Sequence, residues 1–257
     1  MRTAIVTGAS SGMGKVFALK MCERRDIEKV IAIARNEEKL ELLRAHCPQK
    51  IEILPLDLSR PDAYKTVVDR LSSDEMQVVW LINNAGYGKF CYYDDLSPEE
   101  SANMVDLNCR CVLTLTLGVL PFMKKDSKIL NLSSAASFGP LPGAAVYAAS
   151  KAFVRNYTRA LARELKKSGI TATAVCPYWT KTDFFARVHE HTGNKLITKY
   201  EVMYDAEKVV DKAIKDAEKG KDMSVYGALN KLQHVAIKLL PQSPIMTLWQ
   251  RRQHLDV

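Results

Sequence analysis

Short runs rich in β-branched residues alternate with helix-length segments from one end of this chain to the other, and this alternation restricts the fold more than any other feature. Strand patterns cover residues 3–7, 29–35, 51–56, 78–83, 127–132 and 171–176, with a weaker one at 223–226. Helical patterns begin near Gly12, Asn36, Pro61, Ser97, Val146 and Asp205. Ser97-Pro98-Glu99-Glu100 combines a capping hydroxyl, a first-turn proline and early acids, the grammar of a helix start. Strands separated by helices need crossover connections, which lay the strands parallel and cover both faces of the sheet. The expected fold is a doubly wound parallel α/β sheet, and 257 residues suffice for a single domain spanning 1–257.

The first strand runs into Thr7-Gly8-Ala9-Ser10-Ser11-Gly12-Met13-Gly14 and then a helical segment. Gly8 permits a tight turn, Gly12 lets the backbone approach a pyrophosphate, Gly14 allows close packing, and the N–H groups at the helix start face the phosphates. A glycine pattern alone is as often a plain turn; its place directly after an opening strand favours a dinucleotide site. The second strand ends Ile33-Ala34-Arg35-Asn36, where a fold selecting NAD would place an acid on the ribose hydroxyls. Arg35 offers instead a bidentate, charge-assisted clamp for a 2′-phosphate, so NADP(H) is the expected cofactor. The bland alternative is a surface arginine at a strand end.

Tyr147-Ala148-Ala149-Ser150-Lys151 sets Tyr147 and Lys151 four residues apart, on one face of a helix. A tyrosine titrates near 10, and a neighbouring ammonium favours its phenolate. Such a pair is common by chance, but Ser133 and Ser134 end the preceding strand, where open α/β sheets place their ligands.

With TGASSGMG at 7–14, Asp57 in LDLS, NNAG at 83–86, Asn108 in DLNCR, LSS at 132–134, YAASK at 147–151, and Pro177 and Thr182 in PYWTKT, the chain resembles the short-chain dehydrogenase/reductase family in its compact, Rossmann-like, single-domain branch. The resemblance implies that Tyr147 is the general acid/base and that Ser134 hydrogen-bonds the substrate oxygen. Lys151 would lower the tyrosine pKa and hold the nicotinamide ribose, and Asn108 would keep a helix open around a relay water. It assigns Gly8, Ser10, Ser11, Gly12, Met13, Gly14, Arg35, Asp57, Asn83, Ala85, Gly86, Pro177 and Thr182, with Tyr147 and Lys151, to the cofactor. Among these, Asp57 would meet the adenine, the 83–86 segment the adenosine ribose, and Thr182 the carboxamide. Two departures stand out. Tyr178 and Trp179 follow Pro177 where a glycine is common, and Ser11 stands where some NADPH-preferring relatives carry a basic residue.

The implied reaction interconverts a ketone or aldehyde and an alcohol. Tyr87, Phe90, Phe138, Leu141, Tyr178, Trp179, Phe184 and Phe185 favour a bulky apolar substrate such as a steroid, bile acid or long acyl compound. Arg187, Lys195 and Lys199, in an expected substrate loop at about 183–204, would attract an acidic end. The alternatives are a small hydroxy-acid or sugar-type dehydrogenase, a cofactor-sensing binding protein, and a peripheral membrane protein. The last would use the amphipathic segment 228–252, whose Leu229, Leu232, Ala236, Leu239 and Leu240 oppose Asn230, Lys231, His234 and Lys238. Packing of those leucines on the pocket or on a second subunit is the expected arrangement, and a homodimer or homotetramer is carried over from the resemblance.

Charge narrows the partners. The first 150 residues hold 18 Lys/Arg and 18 Asp/Glu, whereas the rest hold 19 and 11, which is the whole net +8. No basic run interleaved with aromatics suggests nucleic acid. The six cysteines show no paired spacing, so neither disulfides nor a zinc site is expected, and His189-Glu190-His191 reads as surface. No stretch reaches the roughly 18 apolar residues of a membrane span. The strand pattern at 3–7 leaves no room for a leader, and the expectation is a cytoplasmic chain.

Overall fold

The computed structural model describes residues 1–184, 188, 196–197, 199–200 and 202–255. Seven parallel strands form one sheet: β1 (Arg2–Thr7), β2 (Lys29–Ala34), β3 (Ile51–Pro55), β4 (Gln77–Asn83), β5 (Met123–Leu132), β6 (Thr171–Val175) and the short β7 (Met223–Ser224). Their order is β3-β2-β1-β4-β5-β6-β7, so the chain reverses direction across the sheet between β1 and β4. A crevice opens at such a reversal, beyond the carboxyl ends of the strands.

Successive strand residues feed opposite cores, as the two-residue period requires. Val6, Ala32, Ile82 and Leu130 face α1 (Gly12–Cys22), α2 (Glu37–Arg44) and α7 (Ala206–Glu218), packing on Phe17, Met21, Leu40 and Val210. Their neighbours Ile5, Ile31, Leu81 and Ile129 face the other way, onto Val67 and Leu71 of α3 (Ala63–Ser73) and Leu115 and Val119 of α5 (Cys111–Val119). Helix α6 (Ala145–Glu164) adds Leu161 to that second core.

Helix α4 (Pro98–Val105) starts at the expected cap, which forms a capping box, Ser97 Oγ accepting from Glu100 N–H and the Glu100 carboxylate accepting from Ser97 N–H. It continues through a π-turn (Asp106–Arg110) into α5. The continuous stretch Pro98–Phe122 is long and apolar enough to cross a membrane, contrary to the expectation from sequence. It is a core helix here: Leu115, Thr116 and Val119 are fully buried, and Asn83 of β4 donates to Thr116 Oγ1 at 3.0 Å.

Two helices close the chain, α8 (Ala228–Leu239) and α9 (Gln242–Gln253). Helix α8 reverses the expected orientation. Asn230 is completely buried and donates to the Cys176 and Tyr226 carbonyls at 2.9 and 3.3 Å, while Leu232 and Leu239 are 67% and 75% exposed. A helical wheel identifies an apolar face but not what covers it; the buried carbonyl of Cys176 at the end of β6 claims the polar face, because its desolvation without a donor is costly.

Candidate active site

The glycine turn joins β1 to α1 with Gly8 and Gly12 at φ of +65° and +53°, a region glycine enters without penalty. Asn84 fixes it: its Nδ2 donates to the carbonyls of Thr7 and Gly8 at 3.0 and 3.3 Å, and Thr7 Oγ1 accepts from the N–H groups of Asn84 and Ala85, both at 2.9 Å. Ser11 begins α1 without a side-chain cap, so the first-turn N–H groups open toward the cleft.

One cleft of about 920 Å³ runs from this turn to the C-terminal helices. Gly8, Ser10, Ser11, Gly12, Met13, Arg35, Asp57, Ala85, Gly86, Ser134, Tyr147, Lys151, Pro177 and Thr182 all line it. Three anticipated residues do not. Gly14 lies behind the turn, where an added Cβ would stand 2.1 Å from the Gly8 oxygen, so it serves packing. Asn83 is buried between strands, donating to Thr116 and to Asn131 Oδ1 at 2.8 Å. Asn108 is fully buried in the π-turn, its carboxamide matched to the Tyr87 backbone and donating to Ser150 Oγ at 3.0 Å. Asn108 is thus a positioning residue, and the π-turn is what brings its side chain inward. Sequence reasoning passed over Asn84 as a loop clamp and the contributions of Gln233, Ile237 and Trp249 to the far wall; the asparagine doublet of NNAG is the one local signal that could have found the first.

At the adenosine end, Arg35 is exposed beside Asp57. Burial would raise the Asp57 pKa, but the Ser59 N–H and hydroxyl, at 3.0 and 2.8 Å, with Arg35 and Arg60 nearby, hold it below the usual value. At the other end, Phe90, Tyr147, Trp179, Phe184 and Tyr200 form an edge-to-face and tilted cluster, with Phe90 to Trp179 centroids 6.1 Å apart and Trp179 to Tyr200 5.1 Å. Tyr87, Leu141 and Tyr178 also line the wall. Phe138 does not; it packs away from the cleft against His234 and Cys176. Phe185, Arg187, Lys195 and the 189–191 triplet lie outside the described residues.

Where the two ends meet, the Ser134 hydroxyl and the Tyr147 phenol both line the cleft, close enough for the hydroxyl to favour the phenolate. Ser134 is itself held by accepting the Ala136 N–H at 3.1 Å. Burial pushes the Tyr147 phenol up to about 12, with Ser134 pulling the other way. Burial pushes the Lys151 ammonium down to about 8. The expectation that Lys151 lowers the tyrosine pKa is not met: its Nζ donates to the Leu132 carbonyl at 2.8 Å and lies 5.8 Å from the Tyr147 ring centre, beneath the ring. Ser133 Oγ donates to the Lys151 carbonyl at 2.8 Å, tying α6 to the end of β5.

A family model for the short chain dehydrogenases matches residues 2–193. The chain belongs to that family. Among curated relatives, a very-long-chain 3-oxoacyl-CoA reductase of Anas platyrhynchos is 34% identical over 190 residues, which take in 70% of this chain but 60% of the duck protein. Among solved structures, a short-chain dehydrogenase from Sphingobium yanoikuyae in complex with NADPH superposes with a TM-score of 0.75 at 26% identity, covering 95% of this chain and 98% of that one. The bulky-bulky ketone specific alcohol dehydrogenase from Comamonas testosteroni gives 0.72 at 25% identity, covering 99% and 93%. As a family member this chain carries a Rossmann-like sheet, and its Ser134, Tyr147 and Lys151 all line the one cleft.

Proposed function

We propose that this short-chain dehydrogenase is an NADP(H)-dependent reductase of ketones or aldehydes carried on bulky, apolar molecules. The observation that carries the reading is that Tyr147 and Ser134 face one continuous cleft together, at the junction between its glycine-turn end and its aromatic end. The residues present fit a dinucleotide: the turn is kept free of side-chain bulk, since an added Cβ on Gly12 would come within 3.3 Å of Thr182 Cβ, and the opening N–H groups of α1 face the cleft. Arg35 would hold a 2′-phosphate, Asp57 the adenine side, and Lys151 the ribose nearest the chemistry. The NADPH complex of the Sphingobium relative supports the choice of cofactor.

The bound nicotinamide supplies a hydride to the carbonyl carbon. Tyr147 gives its proton to the carbonyl oxygen, and Ser134 donates a hydrogen bond to that oxygen as negative charge develops on it. A phenol near 12 is fully protonated at neutral pH, which suits a proton donor. Lys151 keeps a positive charge below about pH 8, beside Gly86, where an added Cβ would lie 3.1 Å from Nζ.

For the substrate, the aromatic cluster and the apolar Leu141, Ile197 and Ile237 support a broad hydrocarbon body such as a steroid, bile acid or long acyl chain, with Lys89 toward an acidic end; Lys199 does not line the cleft, its Nζ meeting His254 Nε2 at 2.6 Å instead. The bulky-ketone specificity of the Comamonas relative and the very-long-chain acyl specificity of the duck relative agree with this reading. The exposed Leu117 of α5 and Phe153 of α6 support a homo-oligomer through the central helices, and six free thiols suit the cytoplasm. The test is NADPH consumption by purified protein across matched ketones. Bulky apolar ketones should exceed small polar ones in kcat/KM by at least about tenfold, and a terminal carboxylate should help at low salt only. Preference for small polar carbonyls would contradict the substrate reading.

A further inference from the structure

We propose that the outward face of α8, with the adjoining α9, seats on a lipid bilayer surface rich in anionic headgroups. Twelve large hydrophobic side chains are exposed among the described residues, and five of them, Leu232, Val235, Leu239, Leu240 and Leu248, fall within one short stretch. Leu232, Val235 and Leu239 follow a three- and four-residue spacing that puts them on one side of α8. An apolar patch of this kind on an otherwise polar surface marks a contact face.

The leucines cannot be turned inward. On the opposite side of α8, Asn230 is locked to the Cys176 carbonyl, Gln233 and Ile237 line the cleft, and the His234 ring packs on Phe138 with centroids 4.4 Å apart. Rotation of the helix would strand the buried Asn230 amide and the carbonyls it satisfies.

Charge selects the occupant. Residues 223–255 contain no aspartate or glutamate, while Lys231, Lys238, Arg251 and Arg252 are exposed along the same two helices. The charged side chains acting on His234 are likewise all cationic, Arg155, Arg159 and Lys238 adding to the effect of burial to lower its pKa. A second copy meeting this face about a two-fold axis would bring the same cations against themselves. Anionic headgroups complement them, while the leucines enter the acyl boundary. The inference stands apart from the proposed reaction.

The test is co-sedimentation of the full chain with vesicles of phosphatidylcholine alone or mixed with phosphatidylglycerol, at low and high salt, alongside the Leu232→Ser/Leu239→Ser variant. Neither leucine lines the cleft, and matching circular dichroism and thermal unfolding establish that the variant is folded. The expected result is binding to the mixed vesicles only, weakened at high salt and at least about tenfold weaker for the variant. Failure of the parent to bind either vesicle, or equal binding of folded parent and variant, would overturn it. So would a parent oligomer that binds no vesicles and dissociates in the variant, since that would assign the face to a second copy.

Discussion

Asn108 holds the Tyr87 backbone at both ends, its Oδ1 accepting the Tyr87 N–H at 3.1 Å and its Nδ2 donating to the Tyr87 carbonyl at 2.9 Å. The π-turn in the central helix is thereby stitched to the loop after NNAG, and the third bond, to Ser150, extends the stitch to α6 between Tyr147 and Lys151. Replacing Asn108 with alanine removes three hydrogen bonds, two to the half-buried Tyr87 backbone and one to the buried Ser150 hydroxyl. Urea unfolding should show a loss of about 2 to 4 kcal/mol, and a variant within about 0.5 kcal/mol of the parent would contradict this clamp.

Arg35 governs the choice between cofactors in this account. Arg35→Ala should cost roughly 1.5 to 3 kcal/mol of NADPH binding, about one to two decades in Kd, and should change NADH binding far less. Titration of both cofactors by protein fluorescence checks it. Equal losses for the two would assign Arg35 to the fold.

The buried ammonium of Lys151 sets a pH limit. Its pKa, pushed down to about 8 by burial, means that the charged form is present below that value and lost as pH rises through it. Tyr147, near 12, does not titrate in the accessible range. The kcat/KM for NADPH should be flat at neutral pH and fall above about 8, and Lys151→Arg, which stays charged, should abolish that inflection. Persistence of the inflection in the arginine variant would assign it to another group.

Asp216, almost fully buried on α7, accepts from Ser224 Oγ at 2.8 Å and pairs with Lys212 and with Lys221, the latter at 2.9 Å. Burial would raise its pKa, but these partners hold it below the ordinary value. Its contribution to stability is therefore present above the unfolded carboxylate value near 3.9 and lost as pH falls through the lower native one. Asp216→Asn should lower neutral-pH stability by about 2 kcal/mol and flatten the acid limb of a stability-versus-pH curve. An unchanged acid limb would remove Asp216 from that account.

Much of this was legible before any coordinates. The strand patterns differ from the observed strands mainly at their ends; only β5 begins well earlier, at Met123 rather than 127, because the edge residues Lys124 to Asp126 carry no apolar signal. Ser97, Asn36 and Asp205 act as helix caps, as their side chains and positions indicated. Long-range decisions were not legible. The burial of Asn230 depends on a carbonyl 54 residues away, and the π-turn at Asp106–Arg110 leaves no mark in a helical period. Gly14 reads as part of a phosphate loop by its spacing, yet its role is to let α1 pass the Gly8 carbonyl. The Tyr147/Lys151 spacing identified the pair, but not that the ammonium donates to the Leu132 carbonyl and lies over the tyrosine ring.

The central claim is that the Tyr147 phenol, set against Ser134, is the proton donor. The direct measurement is single-turnover reduction by Tyr147→Phe of a ketone that the parent reduces, with NADPH affinity measured on the same preparation. The ring and its contacts with Phe90 and Phe184 remain in the variant, so cofactor affinity should stay within about twofold while the rate falls by at least about 10²-fold. A phenylalanine variant that binds NADPH normally and reduces the ketone at a near-parent rate would contradict the account.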